Sequence, residues 1–366
     1  MSHKFTLGIE EEFQILDGES LKLHSQMSKI IDGGKVLLKE RIKEEMHQSV
    51  VEMGTNVCEN INQARDEVSY LRQQIIELAG KEDLKVAASG THPFSHWSEQ
   101  LITPNPRYDQ LIQEMKDVAR SNLIFGMHVH VGIPSREEGL QIMNVARYFL
   151  PHLYALSTNS PFWEGRETGF KSFRSKIFDK FPRTGIPPYF QSVAEYDKFI
   201  DILVKTNCID NGKKIWWDIR LHPHYPTVEF RVCDMVMTVD EVVCLAAIMQ
   251  CIIAKLHRLH EKNQGFRMYR RIFINENKWR AARWGVEAKL IDFGKEQEVP
   301  FAVLVNELLD FIDDVVDDLG CRAEVNYVFQ MLEQGSGADR QLQVFQDTGD
   351  LKEVVRYTVE QTAKGL

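Results

Sequence analysis

"TLGIEEEFQIL", residues 6–16, places Glu10, Glu11 and Glu12 side by side inside a stretch whose flanks read as a β-strand. Successive side chains of a strand point to opposite faces, so Glu10 and Glu12 share one face while Ile9, Glu11 and Phe13 share the other. Glutamate is a poor strand former and three like charges repel one another. Taken alone, the pair also reads as an ordinary solvated sheet face.

The same i, i+2 arrangement recurs twice. "GMHVHVG", residues 126–132, projects His128 and His130 together, with Val129 and Val131 opposed, and "TVEFRV", residues 227–232, does the same with Glu229 and Arg231 against Val228, Phe230 and Val232. Each alone reads as a structural histidine pair or an exposed ion pair. Together they predict a sheet with its apolar face on helices and its other face collecting glutamates, histidines and arginine. "EEMHQSVVEMGT", residues 44–55, adds Glu52 between Val51 and Met53, with Glu45 seven residues upstream. Glu45 reads equally as a helix-surface residue.

The rest of the chain fits an α+β organisation. Strands are predicted at residues 5–16, 49–58, 85–91, 124–133, 214–222 and 227–233, separated mainly by helical patterns. Apolar spacing at Ala64, Val68, Leu71, Ile75 and Leu78 predicts a helix over 63–79 that stops at Gly80. Ser135 with Glu138, and Thr238 with Glu241, fit the capping box that opens a helix. From about residue 275 the pattern is helical to the end, with amphipathic segments at 301–319, 323–332 and 351–361. The expectation is one catalytic domain over 1–366 with a mostly helical C-terminal part. Residues 160–190, which hold Arg166, Lys171, Arg174, Lys176, Lys180 and Arg183 among Phe, Gly and Pro, read as a long irregular loop suited to an anionic ligand or simply solvated.

Composition narrows the class. The 366 residues carry a formal charge of -9 and no dominant basic patch, which argues against nucleic acid and for small-molecule substrates. Six scattered cysteines with no C-x-x-C pair, and an acidic run within the first dozen residues in place of a leader, give the expectation of reduced thiols in the cytoplasm. "VVCLAAIMQCIIA", residues 242–254, is shorter than the roughly 20 residues that span a bilayer, so it predicts a buried helix and no membrane partner. A homodimer is the base-rate expectation for the assembly.

Clustered carboxylates cannot all ionise side by side without compensation, which implies bound cations. Oxygen-rich ligands with an imidazole suit Mg²⁺ or Mn²⁺ better than Zn²⁺. Mg²⁺ shares phosphate oxygens, so a nucleotide and phosphoryl transfer follow as the leading chemistry. The sequence has no G-x-x-x-x-G-K-[ST] loop, and the glycines of "GSGADR" follow no predicted strand, so a P-loop and a dinucleotide fingerprint are both excluded. Arg220, on the same strand face as Asp218 and His222, is a second candidate arginine, with a salt bridge to Asp218 as its plainer role. Arg280 and Arg283, at i and i+3 of "NKWRAARWG", share one side of a short helix.

The series "GIEEEF", "VVEMGT", "ASGTHPF", "GMHVHVG", "WDIRLHP", "VEFRVCD" and "NKWRAARWG", running from about residue 8 to 285, resembles the glutamate-cysteine ligase type 2 family of bacterial carboxylate-amine ligases. That family belongs to the glutamine synthetase and glutamate-cysteine ligase superfamily. The resemblance implies a curved, mainly antiparallel sheet of about six strands, glutamine synthetase-like, holding ATP and two or three Mg²⁺ or Mn²⁺ ions on its polar face. It implies Glu10, Glu12, Glu45, Glu52, His128 and Glu229 as metal ligands, Arg231 and Arg220 as catalytic arginines, and His128, Arg231, Arg280 and Arg283 at the nucleotide. His130 is left without an assigned role. The activity implied is ATP-dependent joining of an amino-acid carboxylate, glutamate by default, to an amine such as that of cysteine. The competing readings are a metal-dependent hydrolase built on His128, His130 and a glutamate around an activated water, and a non-catalytic nucleotide-binding protein.

Overall fold

Seven strands form the main sheet, and the acidic strand lies in its middle. The structure, a computed structural model, describes residues 3–25, 30 and 38–366. Strands β1 (Leu7–Asp17), β2 (Ile42–Glu44), β3 (Val50–Gly54), β4 (Leu84–Ala87), β5 (Gly126–Gly132), β6 (Ile219–Leu221) and β7 (Thr227–Asp234) run in the order β6-β7-β5-β1-β3-β2, and β4 pairs with the C-terminal half of β1. Every pairing in this sheet is antiparallel. The predicted count of six misses β2, whose three residues are too few to show a period.

The register gathers the polar residues on one face. Glu12 lies opposite Glu52, Glu10 opposite His128, His130 opposite Glu229, and Glu229 opposite Arg220. Between Phe230 and Cys233 the β5–β7 pairing slips, a bulge that places two residues of β7, Arg231 and Val232, against His128 of β5. The bulged Arg231 N–H donates to the carbonyl of Asp218 at 2.8 Å.

Helices cover the opposite face. α1 (Ile61–Gly80) turns Ala64, Val68, Leu71 and Ile75 inward, its first turn capped by the Asn60 side chain. α2 (Pro106–Met115) lies beside the cavity described below; α3 (Arg136–Ala146), α4 (Leu150–Ser157) and α5 (Arg174–Phe178) follow. α6 (Val239–Glu261) opens on the complete Thr238–Glu241 capping box and runs buried through the molecule's centre, against α1, α3 and β5. Ser135 accepts from the Glu138 N–H, but the Glu138 carboxylate goes to His257 instead of back to the cap, so that box is only half made. Apolar packing is continuous from Phe5 to Val355.

The C-terminal part is mostly helical, with one interruption that the helical pattern read from about residue 275 did not show. After α7 (Arg271–Trp284) comes a hairpin, Lys289–Asp292 paired with Gln297–Pro300. The Asp292 carboxylate makes its turn by accepting from the N–H groups of Gly294 and Lys295, and the Asn277 side chain ties Ile291 to α7. Helices α8 (Phe301–Val316), α9 (Arg322–Gln334), α10 (Gly337–Thr348) and α11 (Leu351–Thr362) follow. "GSGADR" opens α10, with Ser336 and Asp339 forming a second capping box. The predicted strand over 214–222 is also divided: Trp216–Trp217 pairs in parallel with Thr184–Gly185, and only β6 joins the main sheet. Among the described residues no helix is long and apolar enough to cross a membrane, and all six cysteines are free thiols.

Candidate active site

The polar face of the sheet forms the floor of a cavity of about 480 Å³. Glu10, Glu12, Glu45, Glu52, His128, Arg220, Glu229 and Arg231 all line it. Glu10, His128 and Glu229 form one triad and Glu12, Glu45 and Glu52 a second; within each, one ligand atom from every residue lies within 4.8 Å of the others. β1 supplies one glutamate to each triad, a direct consequence of its two-residue period.

The electrostatics of the two triads differ. In the first, burial works against ionisation of Glu10, but hydrogen bonds and charge from His128 and His130 bring it well below the usual carboxylate range. Glu229 is buried too, yet Arg231 and Arg220 hold it ionised far below its ordinary value. Arg220 donates to Glu229 through Nε at 2.7 Å and Nη2 at 3.2 Å, and Arg231 binds the same carboxylate. His128, buried and facing Arg231, is pushed down to about 4 and stays neutral at pH 7. Its Nδ1 is 3.4 Å from Glu10, while its buried Nε2 has no hydrogen-bond partner. A neutral imidazole grouped with two ionised carboxylates fits a divalent cation.

The second triad is short of positive charge. Burial, opposed by Arg174 and sharpened by Glu52, raises Glu12 to about 7; Glu45 is driven well above its ordinary value by burial and by Glu52 and Glu12; burial and Glu10 raise Glu52 despite Lys43. Three carboxyl groups that resist ionising together are a set of hard oxygen ligands suited to a cation of the Mg²⁺ or Mn²⁺ kind. The donor chemistry of both triads therefore fits metal.

Three residues join the site that the opening motifs do not name. Arg174, the first residue of α5 within the basic segment, is buried with its guanidinium against β5: a Cβ on Gly126 would fall 2.2 Å from its Nη2, so a side chain there would push the guanidinium aside. Its Nε is unpartnered, and it lies near Glu12, which itself accepts from the Gly126 N–H at 2.5 Å. Lys43, on β2, reaches Glu52 at 2.7 Å and Glu10 at 3.4 Å. His222 lines the cavity beside His130 and stacks on Tyr225. The signal for Arg174 was the cluster of basic residues in the loop; Lys43 had none, because a lysine on a three-residue edge strand looks like any surface lysine.

Other expectations resolve differently. Glu11 faces the helices, where Arg72 of α1 donates to it through Nε at 3.0 Å and Nη2 at 2.7 Å. Arg220 pairs with Glu229, not Asp218; Asp218 instead takes Lys278 of α7 at 2.8 Å. Arg280 and Arg283 are not among the residues lining the cavity: Arg280 is tied to Glu276, Glu298 and the Lys289 carbonyl, and Arg283 lies over the Trp284 ring. Arg280 thus faces the hairpin that sequence periodicity had missed. His130 sits 3.1 Å from Thr227 Oγ1 and packs on His222 and Tyr225, at the edge of the first triad and 3.9 Å from Glu10.

Comparison with known proteins agrees with this geometry. The sequence profile of glutamate-cysteine ligase family 2 matches residues 6–357. A protein of Solibacter usitatus provisionally named glutamate-cysteine ligase 2 is 57% identical over 362 residues, covering 99% of this chain and 94% of its own length. A similarly named protein of Chloroflexus aurantiacus is 55% identical, with 99% and 93% covered. Among solved structures, a glutamate-cysteine ligase of Francisella tularensis in complex with AMP superposes with a TM-score of 0.72 at 13% identity, over 99% of this chain and 90% of that one. The bifunctional glutathione synthetase of Pasteurella multocida superposes equally, with a TM-score of 0.72 at 14% identity, over 98% of this chain and 52% of that one. Those two likenesses establish the glutamine synthetase-like fold. By sequence, the chain belongs to glutamate-cysteine ligase family 2, the ATP-dependent ligases that join a carboxylate to an amine through a carbon–nitrogen bond.

Proposed function

We propose that this protein joins the γ-carboxylate of glutamate to cysteine or a similar amine, in a single catalytic unit, through an acyl phosphate. The observation that carries the reading is the pair of triads, Glu10–His128–Glu229 and Glu12–Glu45–Glu52, set side by side with Arg220 and Arg231 in one cavity. A carboxylate is a poor acylating agent. Transfer of the γ-phosphoryl group of ATP to a carboxylate oxygen releases ADP and gives a mixed anhydride; attack of the amine at its carbonyl carbon then forms the amide and expels phosphate.

Mg²⁺ or Mn²⁺ held by the two triads would neutralise nucleotide phosphate charge. The protein's own groups do the rest. Arg231, held by Glu229 and by the bulge, directs its remaining N–H groups at the transferring phosphoryl oxygens and at the oxyanion of amine attack. Arg220, clamped by Glu229 and by the carbonyls of Lys213 and Ile215, fixes the Glu229 carboxylate that both arginines share. Arg174 brings a third guanidinium to the same anionic ligand.

The test is ADP release by the purified protein with ATP, Mg²⁺, glutamate and a panel of amines led by cysteine, each omitted in turn. Release that needs both glutamate and one amine supports the reading and names the amine. Release that proceeds without any amine, or that never needs glutamate, overturns it.

A further inference from the structure

The two triads place five carboxylates in one cavity, and among the described residues Lys43 is the one lysine paired with any of them, although Lys213 and Lys214 also line the cavity. Lys43 Nζ lies 2.7 Å from Oε1 of Glu52, a member of the second triad, and 3.4 Å from Oε1 of Glu10, a member of the first. The bridge thus spans both candidate ion positions. Its side chain is 50% exposed while the Glu52 side chain is only 10% exposed, so the lysine arrives from the open rim and the carboxylate cannot move out to meet it. β2 is a three-residue strand at the sheet edge, and a four-carbon stem leaves it with room to swing away.

We propose that Lys43 is a resident counter-ion for the acidic cluster, bridging Glu10 and Glu52 until a divalent cation takes over those carboxylates and displaces it. An ammonium within hydrogen-bond distance of a carboxylate and a divalent ion bound to that carboxylate repel each other strongly at such short range. The lysine also differs from the arginines of the site. Arg220 is locked by two bonds to Glu229 and two to backbone carbonyls, and Arg231 is bound to Glu229 with its backbone N–H fixed at the bulge, whereas among the described residues Lys43 has two ion pairs, both to candidate metal ligands. The arrangement keeps the sheet face tolerable when metal is absent and makes ion loading an exchange of one cation for another. This inference rests on the metal reading of the triads.

The experiment is titration of the full chain with Mn²⁺, without nucleotide, following free Mn²⁺ by electron paramagnetic resonance, for the wild type and for Lys43→Met, Lys43→Arg and Glu52→Gln. Removing the competitor in Lys43→Met should tighten Mn²⁺ binding about tenfold, the scale typical of groups that contact metal ligands. Lys43→Arg should bind no more tightly than the wild type, and Glu52→Gln should bind more weakly. In chelator, Lys43→Met should melt below the wild type, and saturating Mn²⁺ should close the gap. Lys43→Gln serves in its place if the methionine variant loses its far-ultraviolet dichroism. Unchanged or weaker binding by the Lys43 variant, with Glu52→Gln weakened, would overturn the counter-ion role and leave the metal site standing. Absence of Mn²⁺ binding by the wild type would overturn both.

Discussion

β1 carries two kinds of glutamate, one residue apart. Glu11 faces the helices, is 1% exposed, and meets one guanidinium that is itself held by the carbonyls of Val236 and Met237. Glu10 and Glu12 face the other way, into a cavity, where Glu10 shares a triad with His128 and a second carboxylate, and Glu12 meets two further carboxyl groups before it meets enough positive charge. The first is a closed account of one charge against one; the second is open. A buried pair that satisfies itself tells of architecture, whereas a buried group of like charges that does not implies something further to be bound.

The comparison breaks most sharply on the polar side. Glu229→Gln or Glu10→Gln should lower ADP release by at least about 1,000-fold, equivalent to about 4 kcal/mol of transition-state stabilisation. Glu10→Gln should keep the fold and its melting temperature, while Glu229→Gln, which takes charge from the partner of the buried Arg220 and Arg231, should keep the fold at a lower melting temperature; far-ultraviolet dichroism and thermal melts check that half. Retained turnover in both variants would remove these residues from the site.

On the helical side the same chemistry should give the opposite result. Arg72→Met leaves the Glu11 carboxylate buried without its partner and two backbone carbonyls without donors, which costs about 3 kcal/mol of stability. Denaturant melts would measure the loss, and the specific activity of whatever remains folded should stay within about threefold of the wild type. A variant that folds normally but turns over poorly would mean that Glu11 belongs to the site after all.

The sequence made this division legible because a strand has a period of two. Glu10, Glu12, Glu52, His128, Glu229 and Arg231 could be placed on one face from spacing alone, and antiparallel register then brought them together. Glu45, ambiguous by spacing because it lies outside β3, reaches the cavity from the turn before that strand. What spacing does not encode is the approach of distant segments. Arg174 opens a short helix whose entry is set by Ser160, Ser172 and Asp234, and Arg280 turns away because a hairpin supplies Glu298, 18 residues later. The partner of Glu11 was not legible for a related reason: Arg72 interrupts the apolar face of α1, and nothing local announces that one interruption answers the other.

The smallest of the expected effects separates the two faces by pH. Burial raises both Glu11 and Glu12 above the ordinary carboxylate value, Glu12 to about 7. A carboxyl whose folded pKa is raised contributes stability that is fully present below its unfolded pKa and is lost as pH rises through the folded one. These two carboxyls should therefore withdraw stability from the metal-free protein between about pH 4.5 and 7.5, against the stability gained up to about pH 6.5 by the buried His47, His92, His128 and His152, each pushed down to about 4, while Glu10 and Glu229, both lowered, stay ionised throughout that window. Divalent ions compete with the proton only on the polar face. If Glu12 alone gives up a proton on binding, Mn²⁺ affinity should rise up to about tenfold per pH unit below 7 and level off above it. Metal-saturated protein should then lose the Glu12 share of the pH dependence and keep the Glu11 share. Melting curves at pH 6 and pH 8, with chelator and with saturating Mn²⁺, measure the two shares separately; a metal-induced shift that is equal at both pH values would mean that Glu12 is already ionised before the ion arrives.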